Sequence, residues 1–423
     1  MLESGFLDAL FAFAIITPLL FVVQLGFVGP ALSFGCTLVY GGLRWREVLP
    51  GLGRRWPLLL VPAYALLSVL WSDYPGETLK HALELTLTVA GGLLLSASPA
   101  SAGVLAGVWA GFAAFMIASF ALGHSVTVGS MTGAGAEATA FAGLNGVKNL
   151  FGMTAALAVL TSLFMVSRAL ARRSWLVLLG ALGLLLVELY LVYIARSAGA
   201  LLALSLGSAA FLAMSSMGLF RLTGRIIACG LLVTCAVAVG MVAYGLADSL
   251  GATTLSVFHK DPTLTGRSYL WYRAADLIHE RAVLGRGFEA FWVQGNIDAE
   301  GLWQYGKVPG QAGFNFHSTV IELLVHFGWA GTLLTLGVFA LSLCKVIQRG
   351  IQHPNVTSAF YVAFVTFKVS RGPFESLMPS SVDFATVLMF AALGYGFHRL
   401  RPSAAPVEYY ASPVLRHPQI LAG

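Results

Sequence analysis

Apolar residues in this chain come in long runs rather than in alternation. Stretches of about 17 to 25 mostly apolar residues recur from residue 6 to residue 398, separated by short polar or Gly/Pro-bearing breaks. Each can cross a hydrocarbon core about 30 Å thick, and only a helix satisfies its own backbone groups within one such segment. The pattern predicts spans near 6–25, 29–43, 57–72, 81–97, 101–122, 149–167, 174–194, 198–217, 226–247, 318–344, 356–370 and 381–398. The expected fold class is all-α: a polytopic transmembrane helix bundle of about 12 helices with one large loop on the outer side. Residues 5 to 43 must hold two helices and a turn at Gly26–Pro30, and the eleventh span is short, so eleven helices also fit. The units expected are helices one to nine over 1–247, a large loop over 248–317, helices ten to twelve over 318–400 and a tail over 401–423.

The basic residues set a direction. Arg44, Arg46, Arg54, Arg55, Arg168, Arg172, Arg173, Arg221, Arg225, Lys345, Arg349, Arg399, Arg401 and Arg416 all fall on one side when loops are counted alternately. Short loops of the other side hold only Lys80, Lys148, Arg196, Lys368 and Arg371. The positive-inside bias therefore predicts cytoplasmic N- and C-termini in an inner membrane. The loop 248–317 lies on the outer side, where long translocated segments escape that bias. Within it, SYLWYRAADLIHERAVLG spaces Leu270, Trp271, Ala274, Leu277 and Ile278 as one face of an amphipathic helix, expected to lie at the interface. Residues 123–148, rich in Gly, Ala and Ser, read as a second outer loop.

Composition agrees with this picture and narrows it. Hydrophobic residues make up 57% of the 423, charged residues 10%, and the mean hydropathy is +0.80. A soluble chain carries about 25% charged residues. The net charge of +6 is scattered between helices and gives no nucleic-acid footprint. Cys36, Cys229, Cys235 and Cys344 all fall in apolar segments and read as buried free thiols, with no metal-ligand spacing. MLESGFLDAL lacks the basic start of a cleavable signal peptide and is expected to stay as part of the first helix.

Ionisable residues at one membrane face are the candidates for chemistry. Arg196 ends the seventh span in IARSAGA, Arg267 lies in LTGRSYLW and Arg286 in VLGRGFEAFW. His317 opens the tenth span, and SRGPFES adds Arg371 and Glu375. Converging guanidiniums suit an anionic diphosphate, which they grip in fork geometry. Transfer from a polyprenyl-diphosphate sugar needs positive charge where the leaving diphosphate gains negative charge. An acceptor hydroxyl needs a base, and histidine is suited to that work near neutral pH. Each residue also has a plainer reading. Arg196 can snorkel to head groups, Arg267 and Arg286 can be solvated loop charges, and His317 can be a polar helix start. Glu322 and Glu84 can serve only to bond neighbouring helices, and Gly285–Gly287 is a turn signal before it is a phosphate loop.

At these residues the chain resembles the O-antigen ligase and polysaccharide-polymerase superfamily of bacterial membrane glycosyltransferases. The resemblance rests on TGR followed by an amphipathic stretch and LGRGFEAFW, on HSTVIELLVHFGWAG, on YIARSAGALLAL, on WSDYPGETLKHAL and on KNLFG at 148–152. It implies that Arg196, Arg267 and Arg286 bind the donor diphosphate and that His317 activates or positions the acceptor hydroxyl. Arg371, Glu375 and Glu322 are implied as supporting residues, the first two resembling an element of the exopolysaccharide-polymerase branch. Ser318 stands where the family usually has Asn, and His326 where Glu is common. No cofactor or metal is implied, and Asp298 and Glu300 are too few for a metal site. The implied partners are an undecaprenyl-diphosphate-linked glycan donor, a glycan or lipid-linked acceptor, membrane lipids, and a flippase and chain-length regulator of the same pathway. The loop is expected to cap a lateral groove open to lipid. Polymerisation of lipid-linked repeat units is the leading expectation and ligation to lipid A-core or another acceptor the second. A transporter is the third, for which mid-membrane charges and two similar halves would be needed.

Overall fold

Residues 2–128, 138–228, 267–308, 310, 314–372, 375–376 and 379–398 are described by the structure, a computed structural model. Most of the expected ninth span, residues 248–266 of the long loop and the tail 401–423 lie outside the described residues, as do Cys229 and Cys235.

The apolar runs form helices close to where their pattern places them: α1 Leu2–Leu20, the short α2 Val22–Leu25, α3 Val28–Leu43, α4 Trp45–Leu52, α5 Trp56–Leu67, α6 Pro75–Ala97, α7 Ser101–Leu122, α8 Lys148–Ala171, α9 Trp175–Ile194 and α10 Ala198–Ser216. After the long loop's two helices, α11 Arg267–Glu280 and α12 Ile297–Tyr305, come α13 Thr319–Gln352, α14 Val356–Arg371 and α15 Phe384–Tyr395. Among the described residues, five helices are long and apolar enough to cross a membrane: α7, α8, α9, α10 with its 3-10 extension to Leu219, and α13. Gly5–Leu20, Val28–Leu43 and Phe384–Tyr395 are shorter apolar helices. By contrast, α6 carries Glu77, Lys80 and Glu84 in its first half, and α14 has only 16 residues.

The bundle centres on α8, against which α7, α9, α10 and α14 pack. On the far side of α7, α1 lies in a contact made by small residues. A Cβ on Gly107 would overlap the Ala9 carbonyl and one on Gly103 the Gly5 carbonyl, so the four-residue spacing of glycines is what lets the backbones meet. The outward surface is apolar: Leu176, Leu179 and Leu186 of α9 are 86%, 67% and 68% exposed. That surface suits lipid, and the chain is a multi-pass helical membrane protein. Cys344, expected to be buried, is exposed on the outside of α13, while Cys36 is half-buried.

Buried polar groups tie one end of the bundle. Asp8 accepts from Tyr40 Oη at 2.9 Å, Arg44 Nη2 at 2.9 Å and Ser98 Oγ at 2.7 Å. Arg55, fully enclosed, donates from Nε to the Gly394 carbonyl, from Nη1 to Gly51 and from Nη2 to Ser96, at 3.1, 2.8 and 2.8 Å. Every nitrogen of that guanidinium is engaged.

The all-α expectation needs one amendment. His124–Val128 and Ala138–Gly143 pair as an antiparallel hairpin, with a register irregularity between His124 and Ser125. HSVTV holds the β-branched Val126, Thr127 and Val128 in a row, but the Gly- and Ala-rich stretch around it reads as loop. Phe141 of the second strand meets Phe151 of α8 edge-on at 5.2 Å, fixing the hairpin over the helix ends.

Candidate functional site

The long loop is joined to the bundle through main-chain bonds. Helix α13 breaks at Gly328, whose φ of 60° and ψ of −169° belong to a region open essentially to glycine. Loop residues 282–287 fill the break. Trp329 N donates to the Ala282 carbonyl at 2.8 Å and Ala330 N to Val283 at 3.0 Å. In return Arg286 N donates to Val325 and Gly287 N to His326, both at 3.0 Å. Irregular backbone within a membrane protein is tolerated where other protein groups satisfy it. The GRG element therefore works here as a docking strand, with positive φ at Gly285 and Gly287.

Above this seam the loop has a core of its own. Leu270, Ala274 and Leu277 of α11 pack with Phe291, Leu302, Trp303, Phe316 and Val325. The amphipathic helix thus forms where expected, but its apolar face is covered by protein rather than turned to lipid. Glu322, 3% exposed, is the fastening: it accepts from Trp292 Nε1 at 2.9 Å and Phe316 N at 2.8 Å, with His326 Nε2 at 3.2 Å. Asp298 and Glu300 are also structural, the first paired with Arg273 at 3.3 Å and the second accepting from Gly295 N at 3.0 Å.

At the start of α13 four of the sequence candidates meet. His317, held at φ 52°, places Nδ1 3.3 Å from Glu375 Oε2. Arg267 Nη2 lies 3.5 Å and Arg371 Nη2 3.9 Å from Glu375 Oε1. Thr319 Oγ1 donates to the Glu375 carbonyl at 3.0 Å and Thr319 N to Gly372 at 3.1 Å, so the ends of α13 and α14 are locked together. Asn315 Oδ1 accepts from His317 N at 2.8 Å. Burial works to raise the Glu375 carboxyl. The His317 hydrogen bond and the charges of His317, Arg371 and Arg267 outweigh it and hold that carboxyl below the usual carboxylate range.

Arg286 and Arg196 stand apart from this group. Arg286 Nη1 pairs with Asp73 at 3.0 Å and Nη2 with Glu280, and Asp73 also meets Arg281 at 3.2 Å. Glu280 ends the 14-residue helix that Arg267 begins, and at about 1.5 Å per residue those ends lie roughly 20 Å apart. The fold therefore brings Arg267 to His317 and leaves Arg286 at the other end of α11. Arg196, exposed and with φ 49°, lines a separate cavity of about 430 Å³ with Phe120, Ser125, Thr139, Phe141, Tyr190 and Tyr193. The three arginines, read from the sequence as one group, thus have separate surroundings among the described residues. Sequence position gave a common face but not the partners, because Asp73 lies 213 residues from Arg286 along the chain.

A further polar group escaped the sequence reading. His81 Nδ1 lies 3.1 Å from Glu84 Oε2, 3.2 Å from Glu289 Oε2 and 3.2 Å from Ser381 Oγ. Glu289 also accepts from Ser380 Oγ and from Ser381 N and Oγ, each at 3.2 Å. Its left-handed φ of 49° just after GRG was the one local hint, and it shows only in three dimensions.

Residues 183–336 match the Wzy_C family, described as O-antigen ligase. Over 309 residues, 72% of this chain and 68% of the other, the sequence is 26% identical to the exopolysaccharide production protein ExoQ of Rhizobium meliloti (strain 1021). The family match runs from α9 to the middle of α13 and takes in Arg196, Arg267, Arg286, His317 and Glu322, leaving Arg371 and Glu375 beyond its end. Across the docked loop and the break in α13 the chain is thus similar to the O-antigen ligase family, and over most of its length to an exopolysaccharide production protein.

Proposed function

We propose that this protein is a metal-independent glycosyltransferase that polymerises undecaprenyl-diphosphate-linked repeat units at the periplasmic face of the inner membrane, with both termini cytoplasmic. The observation that carries the reading is the meeting of His317, Glu375, Arg267 and Arg371 at the loop-bearing end of the bundle, in a chain similar to this family. In the reaction, an acceptor hydroxyl oxygen bonds to the donor's anomeric carbon while the bond from that carbon to the diphosphate breaks. The electron pair leaves with the undecaprenyl diphosphate. His317 Nε2 takes the hydroxyl proton, its Nδ1 being turned to Glu375. A positioned base contributes about 10²–10⁴-fold. Arg267 supplies charge beside the leaving group. Arg196 meets the carrier from its aromatic-lined cavity, and Arg286 and Glu322 serve by holding the loop.

A polymerase is favoured by the likeness to an exopolysaccharide production protein. Ligation, with the same donor and lipid A-core or another acceptor, is the second reading, favoured by the description of the matching family. A flippase and a chain-length regulator would act beside the protein in either case. The test is glycan length in a strain carrying His317→Ala at normal membrane level. Single repeat units alone are the expected product. Full-length lipid-linked chains accumulating without transfer would mean ligation, and unchanged polymer would remove His317 from the mechanism.

A further inference from the structure

Exposed aromatic rings occur in two settings in this protein. On α9, Trp175 and Tyr193 stand exposed on a helix long and apolar enough to cross a membrane, where lipid covers them. On α11, Tyr269 and Tyr272 are 43% and 67% exposed on a helix of the long loop. The apolar face of α11 is already buried in the loop's own core through Leu270, Ala274 and Leu277. At about 100° per residue, Tyr269, Tyr272, Arg273 and Asp276 share the opposite face. The charges in that stripe turn it to water, and neighbouring rings left in water invite a partner. Their setting is built rather than loose. Tyr269 leans on Tyr305 of α12, with ring centroids 4.5 Å apart and planes at 44°. Arg273 is held between Asp276, at 3.2 Å, and Asp298 of α12, at 3.3 Å, with all three side chains exposed. Ion pairs this open add little stability, so what the arrangement achieves is a fixed set of charges beside the rings.

The stripe starts at the proposed reaction centre. Arg267, the first residue of α11, lies 3.5 Å from Glu375, which lies 3.3 Å from His317. From there Asp276 is about 13 Å along the helix, the span of a short oligosaccharide. A pyranose presents a face of C–H groups and a rim of hydroxyls. A tyrosine ring covers the first with rigid apolar area, while carboxylates accept from the second and a guanidinium donates to it. We infer that Tyr269, Tyr272, Arg273 and Asp276 form a saccharide-binding track that holds the pyranose rings next to the reacting end of the glycan. The inference rests on the glycosyltransferase reading for the source of that glycan, whereas the track itself is read from exposed rings and fixed charges. Donor and acceptor both carry such rings. The donor lays its reducing-end sugar nearest His317, and the acceptor its non-reducing end.

The experiment uses the full-length protein in detergent micelles. The probe is the single repeat-unit oligosaccharide cut by partial hydrolysis from the exopolysaccharide of the strain that carries the gene. Saturation-transfer NMR reads which sugar protons touch the protein, and titration reads the affinity. Wild type is expected to pass saturation to the C–H protons on one face of a ring. Tyr269→Ala combined with Tyr272→Ala should bind at least tenfold more weakly, and Asp276→Ala severalfold more weakly. Tyr269→Phe combined with Tyr272→Phe restores the rings and should bind close to wild type, which separates lost stacking from misfolding. Trp175→Ala, which removes an exposed ring elsewhere, should match wild type. No transfer in wild type, equal binding by the alanine pair, no recovery in the phenylalanine pair, or an equal loss in Trp175→Ala would overturn the track. Contacts on the non-reducing terminal sugar assign the track to the acceptor and contacts on the reducing-end sugar assign it to the donor, and either supports it. A deletion strain separates the track from the glycosyltransferase reading. Unchanged polymer there, with tyrosine-dependent binding intact in the purified protein, keeps the track and removes that reading. Loss of polymer with no binding by the wild-type protein does the reverse.

Discussion

Glu322 is one of the side chains that attach the loop, since it receives an indole N–H and a backbone N–H from the loop while buried beside His326. Truncating it strands those donors, at about 1–3 kcal/mol each. Glu322→Ala should therefore lower the thermal midpoint in detergent by several degrees, and Glu322→Gln, which keeps one acceptor oxygen, by less. Equal midpoints for the two would mean that water replaces the carboxylate without loss. Arg286→Ala should also destabilise, by about 1–3 kcal/mol, through the partly buried contact with Asp73. Chemical denaturation monitored by tryptophan fluorescence would register it. At this scale the sequence shows which residues are unusual but not what they hold. Glu322 reads as a bond between helices, and only the fold reveals that its donors, Trp292 and Phe316, come from the loop. The approach of His317, Arg267, Arg371 and Glu375 was legible as a shared face, because ionisable residues next to apolar spans have few places to go.

Helices were the most legible elements, for the apolar runs set their length: α7 falls on the expected 101–122. Two elements were not. The hairpin 124–143 hides in a Gly- and Ala-rich stretch, where two strands without a strong alternation give little signal. The break in α13 hides because a single glycine inside an apolar run reads as a tolerated helical residue. Gly328→Ala tests that element. A Cβ there would overlap the Val283 carbonyl group and the backbone angles would be strained, at about 1–3 kcal/mol from the angles alone. The expected outcome is a loop that is cut faster by added protease while α8 and the rest of the bundle keep their helical circular dichroism. Cleavage at the wild-type rate would show that the break tolerates a side chain.

Across the whole molecule, the buried Asp8 and Arg55 networks tie one end and the docked loop closes the other. In the topology proposed from the charge asymmetry, the tied end faces the cytoplasm. Cysteine labelling checks this directly: after the native thiols are replaced, Glu300→Cys should react with an impermeant maleimide in intact spheroplasts, and Arg54→Cys only after permeabilisation. The reverse pattern would invert the topology and move the proposed chemistry to the other compartment. The number of spans was the least legible property at this scale, because short helices such as α3, α14 and α15 rely on neighbours rather than on length for their place.

The seam at Gly328 has one more consequence. Its hydrogen bonds run between main-chain atoms, Ala282 and Val283 to Trp329 and Ala330, Arg286 and Gly287 to Val325 and His326. Such bonds are indifferent to the identity of most side chains around them. A relative's segment grafted between residues 288 and 316 should therefore still seat, provided it keeps the donors to Glu322, and should alter which glycan is accepted.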